Sequence, residues 1–114
     1  MEPIAMRTHP SLTYRPEFQA KQYIIDCGNG YGLSVVNAKS GGGYHGLYCT
    51  DDTFEVAPVR FQTDTPANPA NPFNYELALD EVGEYADPLG YLTIEQVGVV
   101  AHSMREKGIK GFTI

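Results

Sequence analysis

The chain is 114 residues long, 42% hydrophobic and 19% charged, with a formal net charge of −6. That length suits one domain with a real core, and no apolar run approaches the roughly eighteen residues of a membrane span. Its eight Lys and Arg residues are spread over the whole chain, which argues against direct nucleic-acid binding and against docking on an anionic membrane surface. The opening MEPIAMRTHP lacks a charged-then-apolar layout, so a soluble cytoplasmic protein is the expectation. Carboxylates gather at Asp51, Asp52 and Glu55 and again at Asp80, Glu81, Glu84 and Asp87. They read as solvated faces or as a means of docking a basic partner.

Residues 1–20 carry Pro3, Pro10 and Pro16 and no clean hydrophobic period. They read as an extended N-terminal arm with a short strand around Ser11 to Tyr14, preceding a single domain over 21–114. QYIID, Gln22 to Asp26, is rich in β-branched and aromatic residues and predicts a strand. Asn29-Gly30 predicts a hairpin back into Tyr31–Asn37, where Leu33 and Val35 share one face while Val36 makes the other partly apolar, so both sides can be covered. Gly32 inside that strand predicts a bulge or a close backbone approach. Ser40 to Gly46 is a glycine loop, and Thr50-Asp51-Asp52 predicts a turn held by Asp side chains. TFEVAPV, Thr53 to Val59, predicts a strand that Pro58 pushes to an edge or ends early. The proline-rich stretch 62–72 reads as an exposed loop, and Phe73 to Leu79 alternates as a half-buried strand.

A helix from Ile94 to Lys107 is the best-marked element. Thr93 and Gln96 form a capping-box pattern, and Leu92 with Val97 a hydrophobic staple. Ile94, Val97, Val100, Ala101 and Met104 make one apolar stripe, expected to cover the face carrying Phe73, Tyr75, Leu77 and Leu79. Gly108 predicts the end cap, with Ile109 folding back, and KGFTI predicts an edge strand. The fold class expected is α+β: an antiparallel sheet of four or five strands packed by this C-terminal helix. The edge near Pro58 and the tail invite pairing with a second copy, a homodimer.

Candidate chemistry is sparse. Cys27 and Cys49 read as buried thiols, and His9, His45 and His102 lack paired ligand spacing, so neither metal nor cofactor is expected. His102, off the apolar stripe, reads as a surface histidine. The glycine loop has a strand after it and no Gly-Lys-Ser/Thr, which argues against a phosphate loop. Tyrosines beside glycine turns supply large, hydrogen-bonding contact area, and mark a binding surface.

Three stretches, NGYGLSVVNAKSGGGYHGLY, FEVAPV and LGYLTIEQV, together resemble a family of small proteins common in bacteriophage genomes and prophages. The likeness covers about residues 28–60 and 89–104, and departs from the family pattern where Cys49 to Thr53 is inserted and in the added arm and proline loop. The family has no established activity, so the resemblance carries over no catalytic residues. It implies a phage accessory protein acting in the cytoplasm of an infected bacterium. The expected function is non-enzymatic: binding and modulating a host or defence protein, one of basic character. The expected surface is Tyr31, Ser40, Gly41, Gly42, Gly43, Tyr44, His45 and Tyr48, with Asp51, Asp52 and Glu55 beside them. The alternative is a small-ligand protein for a nucleotide signal, and behind it a small hydrolase using His45 or a cysteine.

Overall fold

The computed structural model describes residues 5–8, 20–38, 49–50, 52–63 and 74–114. The expected strand around Ser11 to Tyr14, the glycine loop through Tyr48, the stretch 64–72 and Phe73 lie outside them. The strands are β1 (Ala5–Thr8), β2 (Ala20–Asp26), β3 (Tyr31–Ala38), β4 (Phe54–Phe61), β5 (Tyr75–Leu77) and β6 (Leu89–Leu92). The helices are a single turn, α1 (Leu79–Val82), and α2 (Ile94–Lys107). Strands β1 to β5 lie side by side in chain order, all pairs antiparallel, and β6 shares with β5 the outer edge of β4. This is the α+β class expected. β1 falls within the segment read as an arm and extends the sheet beyond β2.

The hairpin between β2 and β3 turns at Asn29-Gly30, and Gly28 and Gly30 both take φ +87°, where a side chain would be strained. Asp26 Oδ1 accepts from the Gly28 amide at 2.9 Å and Asn29 Oδ1 from the Tyr31 amide at 3.2 Å, which sets the turn locally. Gly32 has another reason: a Cβ there would collide with the Ile25 carbonyl oxygen and press on the Phe61 ring. The Thr53 amide donates to the Thr50 carbonyl at 3.4 Å across the turn, where Asp51 lies outside the described residues and threonine side chains give support. The Thr50 amide donates to Thr53 Oγ1 at 2.8 Å, and Asn37 Nδ2 donates to both Thr50 and Thr53 carbonyls at 2.9 Å.

Helix α2 has the bounds its sequence predicts. Thr93 Oγ1 accepts from the Gln96 amide at 3.2 Å while Gln96 Oε1 accepts from the Thr93 amide at 2.9 Å, so both halves of the capping box form. Val97, Val100, Ala101 and Met104 are buried on one stripe with Leu92 beneath the helix start. Ile94 departs from the expected stripe and is half exposed; Leu92, two residues earlier, takes the core position at that end. At the other end Asn29 Nδ2 donates to the carbonyls of Met104 at 2.8 Å and Arg105 at 3.3 Å. The hairpin tip thus adds a donor to the Met104 carbonyl, which also accepts from the Gly108 amide, and supplies one to the Arg105 carbonyl in the helix's last turn. The tail does not form the expected edge strand. Gly108–Gly111 winds into a 3-10 turn, Gly111 lies so close to the Ser103–Met104 backbone that no Cβ fits, and Phe112 is buried while Ile114 is exposed.

Two further expectations are corrected by register. β4 is an interior strand, paired with β3 on one side and with β5 and β6 on the other. The Phe61 amide donates to Gly30 on the β3 side, so alternation turns the nitrogen of Pro58 toward the opposite edge. There β5 ends and β6 begins, and only the Pro58 carbonyl is used, accepting from the Ala78 amide at 2.8 Å. The missing donor therefore falls at a seam and does not expose the strand. Second, α2 lies on the face formed by Ile25, Leu33, Val35 and Val56. Tyr75 pairs with Phe61 and Leu77 with Val59, which puts them on the opposite face with Gln22, Ile24, Ser34, Val36 and Ala57. The strand they belong to stops at Leu77, and Leu79 begins α1. Period-two alternation says which residues share a face; only pairing says which face it is. Both faces of β3 are covered: Leu33, Ser34, Val35 and Val36 are all buried.

Candidate functional site

Of the residues expected to make one surface, Tyr31, Asp52 and Glu55 are described, and Tyr31 stands apart from Glu55. Tyr31 begins β3, opposite Arg60, whereas Glu55 pairs with Val36 near the other end of the sheet, about 17 Å away at strand spacing. Asp52 is exposed in the turn before β4, and Glu55 is half-buried on the face away from α2. Ser40, Gly41, Gly42, Gly43, Tyr44, His45, Tyr48 and Asp51 lie outside the described residues.

Tyr31 instead joins an ionic cluster. Arg60, on β4, stands in a row between Tyr31 of β3 and Glu76 of β5. Its Nε donates to Glu76 Oε1 at 2.5 Å, and its Nη1 donates to Glu81 Oε2 at 2.8 Å and to Asp80 Oδ1 at 3.1 Å. The Tyr31 hydroxyl donates to Glu81 Oε1 at 2.6 Å, and Gln62 Nε2 to Glu76 Oε2 at 3.1 Å. The Tyr31 hydrogen bond, then the Arg60 contact, holds the Glu81 carboxyl below its usual range. The same bond to Glu81 pushes the Tyr31 hydroxyl up, and the carboxylates keep Arg60 charged. One cation against Glu76, Asp80 and Glu81 leaves the cluster net negative.

This cluster fastens α1 to the sheet, and residues 81–85 and Asp87, at the end of α1 and beyond it, are exposed. Val82 is 39% exposed and Tyr85 87% exposed, set among Asp80, Glu81, Glu84 and Asp87. An acidic ridge carrying an exposed tyrosine and valine, footed on a hydrogen-bonded base, can offer a basic partner charge complementarity and an apolar contact at once. Sequence reasoning reads these carboxylates as a solvated face. The available signal is wider: residues 61–104 contain no Lys or Arg, yet hold half of the chain's acidic residues.

Among the described residues, the other groups that could carry chemistry are Cys27, Cys49 and His102. Cys27 and Cys49 are both unbridged and buried, as expected. Burial, then the neighbouring Asp26 charge, pushes the Cys27 thiol up to about 11, with Arg105 pulling the other way, so at neutral pH it is a protonated thiol and a poor nucleophile. Its sulfur lies 3.5 Å from the Ala101 carbonyl, to which it donates. His102 is half-buried and not simply at the surface, and its Nδ1 is buried without a hydrogen-bond partner among the described residues. Among those residues no three His, Cys, Asp or Glu side chains gather to hold a metal ion, and no helix is long and apolar enough to cross a membrane. Comparison with known protein families, curated proteins and solved structures finds no match to this chain.

Proposed function

We propose that this protein is a non-enzymatic binding module that docks a basic protein on the acidic ridge after α1. The observation that carries the reading is Tyr85, 87% exposed, three residues after exposed Val82 in a segment rich in carboxylates, while Arg60 is already bonded to Glu76, Asp80 and Glu81. Tyrosine is favoured where proteins meet because its ring buries readily and its hydroxyl finds a partner. The unneutralised charge would steer a basic partner toward it. The resemblance to phage accessory proteins supports a setting inside an infected bacterium, the partner being a host or defence protein whose activity is altered by occupying its basic surface.

The test is capture from bacterial lysate by the tagged chain, beside a Val82→Ser/Tyr85→Ala variant and an Asp52→Asn/Glu55→Gln variant. The expected outcome is one stoichiometric basic protein, released by added salt, lost with the ridge variant and kept by the other. Val82 and Tyr85 are exposed, where substitutions shift stability by about 0.5 kcal/mol or less, and circular dichroism on both variants checks that the fold is unchanged. Capture that survives the ridge variant, or fails only with Asp52 and Glu55 changed, overturns the reading.

A further inference from the structure

On the sheet face away from α2, β2, β3, β4 and β5 form the wall of a partly enclosed cavity of about 180 Å³. Two of its wall residues are polar and buried: Gln22 is 7% and Ser34 4% exposed. Gln22 Nε2 donates to Ser34 Oγ at 2.8 Å and to the Tyr75 hydroxyl at 2.9 Å, which uses both amide hydrogens. Among the described residues its Oε1 then accepts nothing and the Ser34 hydroxyl proton is given to nothing, so an acceptor and a donor stand side by side on one wall. Turning the amide over exchanges the roles: Oε1 would accept from the Ser34 hydroxyl, leaving the amide N–H to donate and the Ser34 oxygen to accept. Either way a donor–acceptor pair is unspent. Val36 and Ala57 sit on the same sheet face, directly beside Gln22 and Ser34, and with Leu77 they make the surrounding lining apolar; among the described lining residues none is Lys, Arg or His.

We propose that this cavity is a binding site for a small uncharged molecule with a lactam or amide edge on an otherwise apolar ring. An amide edge presents a donor beside an acceptor, the complement of the Gln22–Ser34 pair. Buried hydrogen-bonding groups discriminate strongly, since a ligand lacking the matching atoms leaves them unpaired. The space corresponds to about six waters, enough for one ring and too little for a nucleotide. An anion would enter beside Glu55, with no cation among the described lining residues. The site uses none of the ridge's carboxylates, although Leu79 of α1 and Pro88, which bracket the acidic segment, also line it.

The experiment uses the full chain with uracil as the amide-edged probe, benzene as an apolar one and benzoate as an anion, read by saturation-transfer NMR and crystal soaking. Uracil should give saturation transfer and density against Gln22, and the two other probes should not. Two variants remove the site in different ways. Gln22→Leu removes the polar edge, and Ala57→Met fills the space without touching a hydrogen bond; each should lower uracil affinity at least tenfold. Because Gln22→Leu could disturb folding, Ala57→Met decides if it does. Binding of benzene as tight as that of uracil, benzoate in the cavity, uracil binding untouched by Ala57→Met, or binding of none of the three would overturn the proposal.

Discussion

The two faces of this sheet are built to different rules. Under α2 the sheet contributes Ile25, Leu33, Val35 and Val56, the helix answers with Val97, Val100, Ala101 and Met104, and every one of these side chains is buried. The other face buries Ile24 and Val59 as completely, yet between them it keeps Gln22 and Ser34 hydrogen-bonded and open to a cavity. A dry, interlocked face responds to any lost volume because its neighbours relax only in part. A face holding polar groups beside free space can re-form its hydrogen bonds with water. Stability belongs mostly to the first face, and room for recognition to the second.

The sharpest break of that contrast is Met104→Ala. Met104 is fully buried beneath α2, so its truncation should lower the unfolding free energy in urea by about 2–5 kcal/mol. A loss under about 1 kcal/mol would mean the helix face is loosely packed after all.

Next comes alkaline pH. The unfolded Cys27 thiol ionises near 9.0 and the folded one near about 11. Between those values the unfolded chain has released a proton that the folded chain keeps, so stability falls as pH rises through the window. Denaturant midpoints at pH 9 and 11 should therefore drop further for the wild type than for Cys27→Ala, and equal drops would contradict the burial argument. At neutral pH, Cys27 should resist alkylation until the fold is lost.

The joints of the helix come third. Thr93→Ala removes the capping-box acceptor and should cost about 1 kcal/mol. Asn29→Ala strips the hairpin's bonds to the Met104 and Arg105 carbonyls and should cost a similar amount, about 1 kcal/mol. If only Thr93→Ala is felt, the hairpin tip touches the helix without supporting it.

On the cavity face, Gln22→Leu should stay within about 1 kcal/mol of wild type, since the Ser34 and Tyr75 hydroxyls can turn to water. A loss as large as that of Met104→Ala would erase the distinction between the faces. The smallest stability change is expected from Arg60→Gln. Its ion pairs are exposed, and such pairs add little to folding. The substitution frees Glu76, Asp80 and Glu81 from their counter-charge, so partner capture by the ridge should grow stronger and more salt-sensitive while the melting temperature holds.

Local signals are legible wherever neighbours in the chain settle the outcome. Thr93, Gln96, Leu92 and Val97 mark the start of α2 because a cap and a staple act over four or five residues. Asn29-Gly30 marks the hairpin because the turn's backbone angles select those residue types. The candidate site is far less legible. In the sequence Tyr31 and Glu55 are assigned to one surface, but Tyr31 pairs with Arg60 and Val36 with Glu55, so five residues of β3 separate them. The ridge's base depends on Arg60 meeting carboxylates 16 to 21 positions further on, a contact that no local pattern announces.

By itself the chain's order of residues determined the α+β class, the bounds and caps of the long helix, the first hairpin and the burial of both thiols, since propensity, capping and hydrophobic period act within a turn or a strand. Tertiary pairing alone decided that Pro58 lies at an interior seam, that Tyr75 and Leu77 turn away from the helix, and that Gln22, Ser34 and Tyr75 meet across three strands. Each of those depends on register, and one residue's slip would reverse every side chain in the strand.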